Sequence, residues 1–285
     1  MADKRDRMHA VTCVFVLGAQ DPEMKLIEEI LGSLSLNVLK ATKRGKRVYP
    51  GNAYQADAPK LQTGSFPTLY AVECGWPGES AHVVHIDHHR PGDTGYGRPP
   101  DQYFSAASIG QLFAVVSRVL IHTGRREDAE RMVRDYGHVA HLIAAADHCL
   151  GAAYRGECPG VDADELMAWC VRQRAAFQQR PVADVVAELQ NSRAVIREMA
   201  VDGLADLRRL PCGTLPGAPE AACREGIAVL SRVTDRDRRQ KVGLLGATPE
   251  QVRKFLAGQM VPGLVDRYGD PARGFAGGYI STGKR

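Results

Sequence analysis

The 285-residue chain contains no apolar run approaching the roughly 18 residues that a membrane span requires, so no membrane association is expected. Its opening stretch, MADKRDRMHA, is charged and leads into no hydrophobic region with a small-residue cleavage site, which argues against a secretory signal. The seven cysteines include no CxxC pair and lie scattered. In that odd, unpatterned set Cys13 and Cys74, in apolar strand-like runs, read as reduced core thiols, and the expected compartment is cytoplasmic. Neither sign of charge dominates: 37 Lys+Arg stand against 33 Asp+Glu, a net of +4. Such a balance is too weak to argue for nucleic acid on its own, though it suits an anionic small ligand. There is no internal repeat and no long low-complexity tract. What these absences leave is a globular chain long enough to bury a sizeable core in one large or two medium domains.

The first half alternates two hydrophobic periods. Residues 11–17 (VTCVFVL) form a near-continuous apolar run, as expected of a strand covered on both faces. After a turn, Met24, Ile27, Ile30, Leu31 and Leu34 recur at helical spacing. Further strand-like runs follow at 36–39, 68–72 and 82–86. Strand alternating with helix predicts a parallel sheet flanked by helices, an α/β fold. From 105 to 177 the pattern turns helical, with Ser105 and Ser108 as N-cap candidates. A boundary is expected near Gln179, Arg180 and Pro181, dividing a first domain, 1–180, from a second, 181–285, that begins with a connecting helix over 182–199. Strands are then expected at 226–233 and 241–245, and a helix capped by Thr248 over 249–257. The closing GDPARGFAGGYISTGKR reads as too glycine-rich for a regular element.

Chemistry concentrates where apolar runs end. In VVHIDHHRPGD, Asp87, His88 and His89 follow a β-branched run directly, and Arg90 adds a cation. The carboxyl ends of strands are where open α/β sheets place their ligands. Asp21 and Glu23 (GAQDPEM), Glu73 (LYAVECGW) and Asp147 (IAAADHCL) also end apolar stretches. Carboxylates with one or two imidazoles suit Mn²⁺ or Mg²⁺, and one or two such ions would polarise a phosphate and generate a hydroxide nucleophile. Each acid alone has a plainer reading, Asp21 as a helix N-cap and Glu73 or Asp147 as the exposed end of an element. His138, His141 and His148 share one side of a helical wheel and suit either a cleft wall or packing, and Trp76 and Tyr96 flank the site loops.

The order of these sites resembles the DHH phosphoesterase superfamily, which includes RecJ-type exonucleases, nanoRNases, cyclic-dinucleotide phosphodiesterases and family II pyrophosphatases. Asp21-Pro22-Glu23 stands in the place of its D-x-D motif, Val72-Glu73-Cys74-Gly75 in that of V-D-C-G, then Asp87-His88-His89 and Ala146-Asp147. The likeness covers about residues 11–150. Three departures stand out: Leu17 occupies the position of a usual histidine, and Glu23 and Glu73 replace aspartates. Each added methylene moves a carboxylate by about 1.5 Å, so one metal position is expected to be weakened.

The resemblance implies a parallel-sheet DHH-type domain, a smaller C-terminal α/β domain, and an active cleft between them. It implies Asp21, Glu23, Glu73, His88 and Asp147 as metal ligands. His89 would contact the substrate phosphate or donate a proton, with Asp87 orienting an imidazole and Arg90 beside them. In the tail it implies a substrate-binding loop of Arg273, Gly274, Gly277 and Gly278, with Tyr279 in place of a usual histidine. Glycines would let backbone N–H groups approach a phosphate, and the arginine would pair with it bidentately. The expected activity is hydrolysis of a nucleotide, short oligonucleotide or cyclic dinucleotide. The partners would be phosphate-containing small molecules or short nucleic acid, and a homodimer is compatible. The alternatives are a nucleotide-binding regulatory protein with weakened catalysis, or a pyrophosphatase or polyphosphatase.

Overall fold

A computed structural model describes residues 13–61, 68–235 and 238–281. The chain falls into two compact units, Met1–Tyr96 with Phe104–Ala144 and Gly97–Tyr103 with Ala145–Arg285.

The first unit is built on the expected parallel sheet. Strand β1 (Cys13–Leu17) is buried along its whole length, and residues 11 and 12 of the expected run lie outside the described residues. Helix α1 (Pro22–Ser33) starts where Asp21 caps it, Oδ1 accepting the Met24 amide at 2.8 Å, with Pro22 preset for the first turn. Its face of Met24, Ile27, Ile30 and Leu31 is fully buried, and burying each such side chain is worth about 1.5–3 kcal/mol. Strand β2 (Asn37–Lys40) returns beside β1, and a short hairpin, β3 (Thr42–Lys43) and β4 (Lys46–Arg47), turns through Arg44 and Gly45 at positive φ. This hairpin gathers four basic residues, Lys43, Arg44, Lys46 and Arg47. Strands β5 (Thr68–Val72) and β6 (Val83–Ile86) complete a sheet of order β2-β1-β5-β6, parallel throughout.

That order fixes where a site can form. From β1 the chain runs to a neighbour on one side; from β5 it runs to a neighbour on the other. The loops leaving β1 and β5 therefore diverge, and the crevice between them is the topological switch point of the sheet. Gly18 follows β1 there and Glu73 follows β5.

Helices α2 (Tyr103–Ala106), α3 (Ser108–His122) and α4 (Arg126–Tyr154) supply the helical middle. Neither serine caps α3: its N-cap is Ala107, and the Ser108 hydroxyl is buried inside the first turn. Asp147 ends no strand. It lies within α4, whose regular geometry is interrupted at Cys149 (φ −154, ψ 55).

The second unit continues through α5 (Ala163–Gln178) and α6 (Val182–Met199), then β7 (Ala200–Val201), β8 (Leu204–Asp206), α7 (Ala218–Glu225), β9 (Ala228–Thr234) and β10 (Gln240–Leu245). Helix α8 (Pro249–Leu256) carries the expected Thr248 cap as a capping box: Thr248 Oγ1 accepts the Gln251 amide at 3.2 Å while Gln251 Oε1 accepts the Thr248 amide at 2.8 Å. The glycine-rich tail is a correction to the sequence reading. It folds into β11 (Leu264–Asp270) and β12 (Phe275–Ile280), and the mixed sheet runs β11-β12-β10-β9-β8-β7. Gly277 and Gly278 pair with Gly243 and Val242 of β10. They are tolerated because the far sides of the ladder cover them: the Tyr268 hydroxyl already occupies the space of a Cβ on Gly277, 2.5 Å from it. Two apolar clusters support this sheet, one under α6 and α7 and one under α8. Among the described residues no single helix is long and apolar enough to cross a membrane.

Candidate metal centre

Three groups in the first unit converge at the carboxyl ends of β5 and β6. Ligand atoms of Glu73, His88 and His89 lie within 4.8 Å of one another. Glu73 Oε1 stands 3.7 Å from His88 Nε2 and 3.9 Å from His89 Nδ1, and the two imidazoles meet edge-on with centroids 4.5 Å apart. Glu73 and His88 are buried, His88 completely. A carboxylate with imidazole suits a divalent ion such as Mn²⁺. Neighbouring ligands of an ion with bonds of about 2.1 Å lie about 3.0 Å apart in octahedral and about 3.4 Å apart in tetrahedral geometry, so the Glu73–His88 pair at 3.7 Å needs about 0.3–0.7 Å of contraction.

Each side chain is positioned by its surroundings. Glu73 takes a left-handed backbone (φ +49) at the end of β5, its amide donating to the Ile86 carbonyl at 3.1 Å. A non-glycine residue there carries about 1–3 kcal/mol of strain, a cost that concentrates at functional sites. Asp87 is the organiser. Its Oδ1 accepts the amides of His88 (2.7 Å) and His89 (3.1 Å) and meets His89 Nδ1 at 2.9 Å. With Nδ1 turned to a carboxylate, Nε2 of His89 is the nitrogen left for a ligand or a proton. Burial pushes the Asp87 carboxyl upward, but the bonds from His89 and Tyr54 outweigh it and hold the group below the usual carboxylate range. Gln111 on α3 clamps the Asp87 backbone, donating to its carbonyl at 2.9 Å and accepting its amide at 3.3 Å. Gly95 packs where a Cβ would lie 2.6 Å from that of His88.

Sequence reasoning missed Tyr54 and Gln111. The Tyr54 hydroxyl donates to Asp87 Oδ2 at 2.8 Å, and the Arg90 guanidinium lies 3.1 Å from the centroid of the Tyr54 ring. Burial, then the Asp87 charge, raises the Tyr54 phenol, so it stays protonated and remains a donor. Nothing local in the sequence marks a tyrosine 33 residues upstream as a partner of Asp87. Tyr54→Phe strips the buried carboxylate of one donor and is expected to cost about 1–3 kcal/mol of stability, read as a lowered denaturant midpoint.

The other candidates are placed as follows. Glu23 is buried and its Oε1 accepts the Ile109 amide at 2.8 Å, satisfying the N-terminus of α3 as Asp21 satisfies that of α1. Neither belongs to the group of ligand atoms just described. Leu17 is fully buried. In the second unit, Arg273 donates to the carbonyls of Asp147 (2.7 Å) and His148 (3.1 Å) beside the interruption of α4, and lies 3.5 Å from the Asp147 carboxylate. Its side chain is 6 % exposed. Gly274 occupies the turn between β11 and β12 at φ +71. Trp76 packs in the core beside β1 and β5, and His148 is buried with Nε2 3.1 Å from the Arg98 carbonyl.

His141 stacks on Phe104 at 4.0 Å. Burial, and secondarily His138, holds its imidazole below the ordinary value, so the folded state takes up its proton later than the unfolded chain does. The resulting stability is complete above about pH 6.5 and is lost as pH falls through the folded value. Denaturation at about pH 7.5 and about pH 5 should show that decline, and His141→Phe, which keeps the stack, should flatten it.

Comparison with protein-family models, with curated proteins and with solved structures found no match. The structure shows an α/β protein with an N-terminal parallel sheet and a largely buried Glu/His group whose spacing would suit a metal ion.

Proposed function

We propose that the chain is a divalent-metal-dependent phosphoester hydrolase acting on a nucleotide, short oligonucleotide or cyclic dinucleotide. The convergence of Glu73, His88 and His89 at the carboxyl ends of β5 and β6, next to the switch point of a parallel sheet, carries this reading, and the motif order that resembles DHH phosphoesterases supports it. Mn²⁺ or Mg²⁺ held there would supply Lewis acidity to polarise the phosphate and lower the pKa of water. The chain's own residues do the rest. Glu73 and His88 hold the ion, with Asp147 as a further ligand on the sequence reading. Asp87 orients His89 so that Nε2 meets the substrate phosphate or hands a proton to the leaving oxygen. Arg90, steadied on the Tyr54 ring, offsets the substrate's charge.

One observation favours a second reading. Leu17 brings no imidazole, and one carboxylate oxygen each of Asp21 and Glu23 is committed to a helix amide. A second ion would then be weakly held, which suits a nucleotide-binding regulatory protein of slow turnover. A panel of phosphodiesters, dinucleotides and pyrophosphate with added Mn²⁺ decides between them. Hydrolysis lost in Asp147→Asn supports the enzyme. Nucleotide binding without hydrolysis in the wild-type protein supports the regulator. Metal content after dialysis should approach one ion per chain; two tightly held ions would show that another group replaces the missing imidazole.

A further inference from the structure

We infer that the second unit carries a ligand site of its own, for an organic monophosphate with a flat apolar body, centred on Arg232. An open hollow of about 300 Å³ lies between the short turn after β8 and strands β9 to β12. Its rim holds three guanidiniums, those of Arg208, Arg209 and Arg232, against one carboxylate, Asp206. That carboxylate is already committed: it binds Arg208 through two bonds of 2.7 and 2.8 Å. Arg209 reaches it only at 3.8 Å and is 80 % exposed. Arg232 projects from β9 with its guanidinium in no ion pair or side-chain hydrogen bond among the described residues. The rim therefore carries uncompensated positive charge with free donors, the chemistry that recognises phosphate.

The interior is of the opposite character. Val242, Val261 and Leu264 line it, each nearly or fully buried, and Ile280 stands 40 % exposed at its edge. An apolar floor under a cationic rim selects a ligand with both parts, because inorganic phosphate leaves the floor wet and an uncharged body leaves the arginines unused. A second hollow of about 480 Å³, lined by Thr234 and Gln240, shares Arg232 and Ile280 with the first. The two hollows meet at these residues, and their combined volume exceeds that of a mononucleotide. The residues are separate from Glu73, His88 and His89, and the inference does not depend on the reading of that group.

Calorimetric titration with adenosine monophosphate, adenosine and inorganic phosphate, in EDTA to remove metal from the first unit, tests the site. The monophosphate should bind at least about tenfold more tightly than either half alone, since each half forgoes interactions worth a factor of that order. Arg232→Gln should weaken the monophosphate by about tenfold or more while leaving adenosine unchanged. Ile280→Asp should weaken both. Both side chains are exposed, so unchanged melting temperatures should accompany these losses. Absence of monophosphate binding, equal binding by phosphate alone, or full affinity in Arg232→Gln would overturn the inference.

Discussion

Glu73→Asn should abolish metal binding while leaving the protein as stable as before, or more stable. The two effects have different origins. Asparagine removes the charged oxygen that faces both imidazoles at 3.7 and 3.9 Å, and its shorter side chain withdraws the remaining oxygen. A lost anionic ligand is expected to cost on the order of a hundredfold or more in Mn²⁺ affinity, beyond the 10–100-fold typical of an outer-shell change. Asparagine also tolerates the left-handed backbone at φ +49 far better than glutamate does. Relief of that strain, up to about 1 kcal/mol, opposes the small loss of packing. A functional site that stores strain predicts this trade, with stability retained and function gone. Metal titration and urea denaturation of the same variant give both numbers. A variant that binds Mn²⁺ normally would remove Glu73 from the centre. One that unfolds at much lower urea would make Glu73 a structural residue first.

Much of this centre was readable from local sequence because local physics places it. A short run rich in β-branched and aromatic residues reads as a strand, and 68–72 matches β5, buried at Ala71 and Val72, as 182–199 matches α6. Asp21 needed only Pro22 and the apolar face behind it to be legible as a cap. The failures share a different cause. Gly277 and Gly278 have little strand propensity; Gly277 is held in β12 between Gly243 and Tyr268, and Gly278 pairs with Val242 opposite a bulge in β11. Such pairing depends on residues distant in sequence and leaves no period-2 trace. Asp147 does not end its apolar stretch: the alanines before it favour helix, and α4 runs on past it to Tyr154. Arg273 in a glycine-rich setting suggested phosphate contact, but the interruption at Cys149 leaves carbonyls that its guanidinium satisfies. The Tyr54–Asp87 and Gln111–Asp87 bonds cross elements and have no local signature.

Gly18→Ala is the change expected to damage the first unit most for its size. Gly18 leaves β1 at the switch point, and its amide donates to the Val72 carbonyl at 2.9 Å. A methyl group there would stand 2.3 Å from the Glu73 carbonyl oxygen and 2.9 Å from that of Val72. Both obstacles are backbone, so no side chain can rotate away. The β1 loop and the β5 terminus must separate, by about 1 Å to reach ordinary contact. Overpacking of this kind costs about 1–3 kcal/mol where side chains can shift and more where they cannot. We therefore expect a loss of at least about 3 kcal/mol, seen as a lower urea midpoint at unchanged slope. The displaced atoms belong to Glu73 itself, so whatever folded population remains should bind Mn²⁺ more weakly than the wild type. Gly32→Ala is the control: nothing lies within 4 Å of its Cβ position on α1, and alanine is the better helix former by about 0.8–1.0 kcal/mol. That variant should be slightly stabilised and should bind metal normally. If Gly18→Ala matched Gly32→Ala in both respects, β1 and β5 would have room at the switch point that this packing denies, and the positioning of Glu73 would need another explanation.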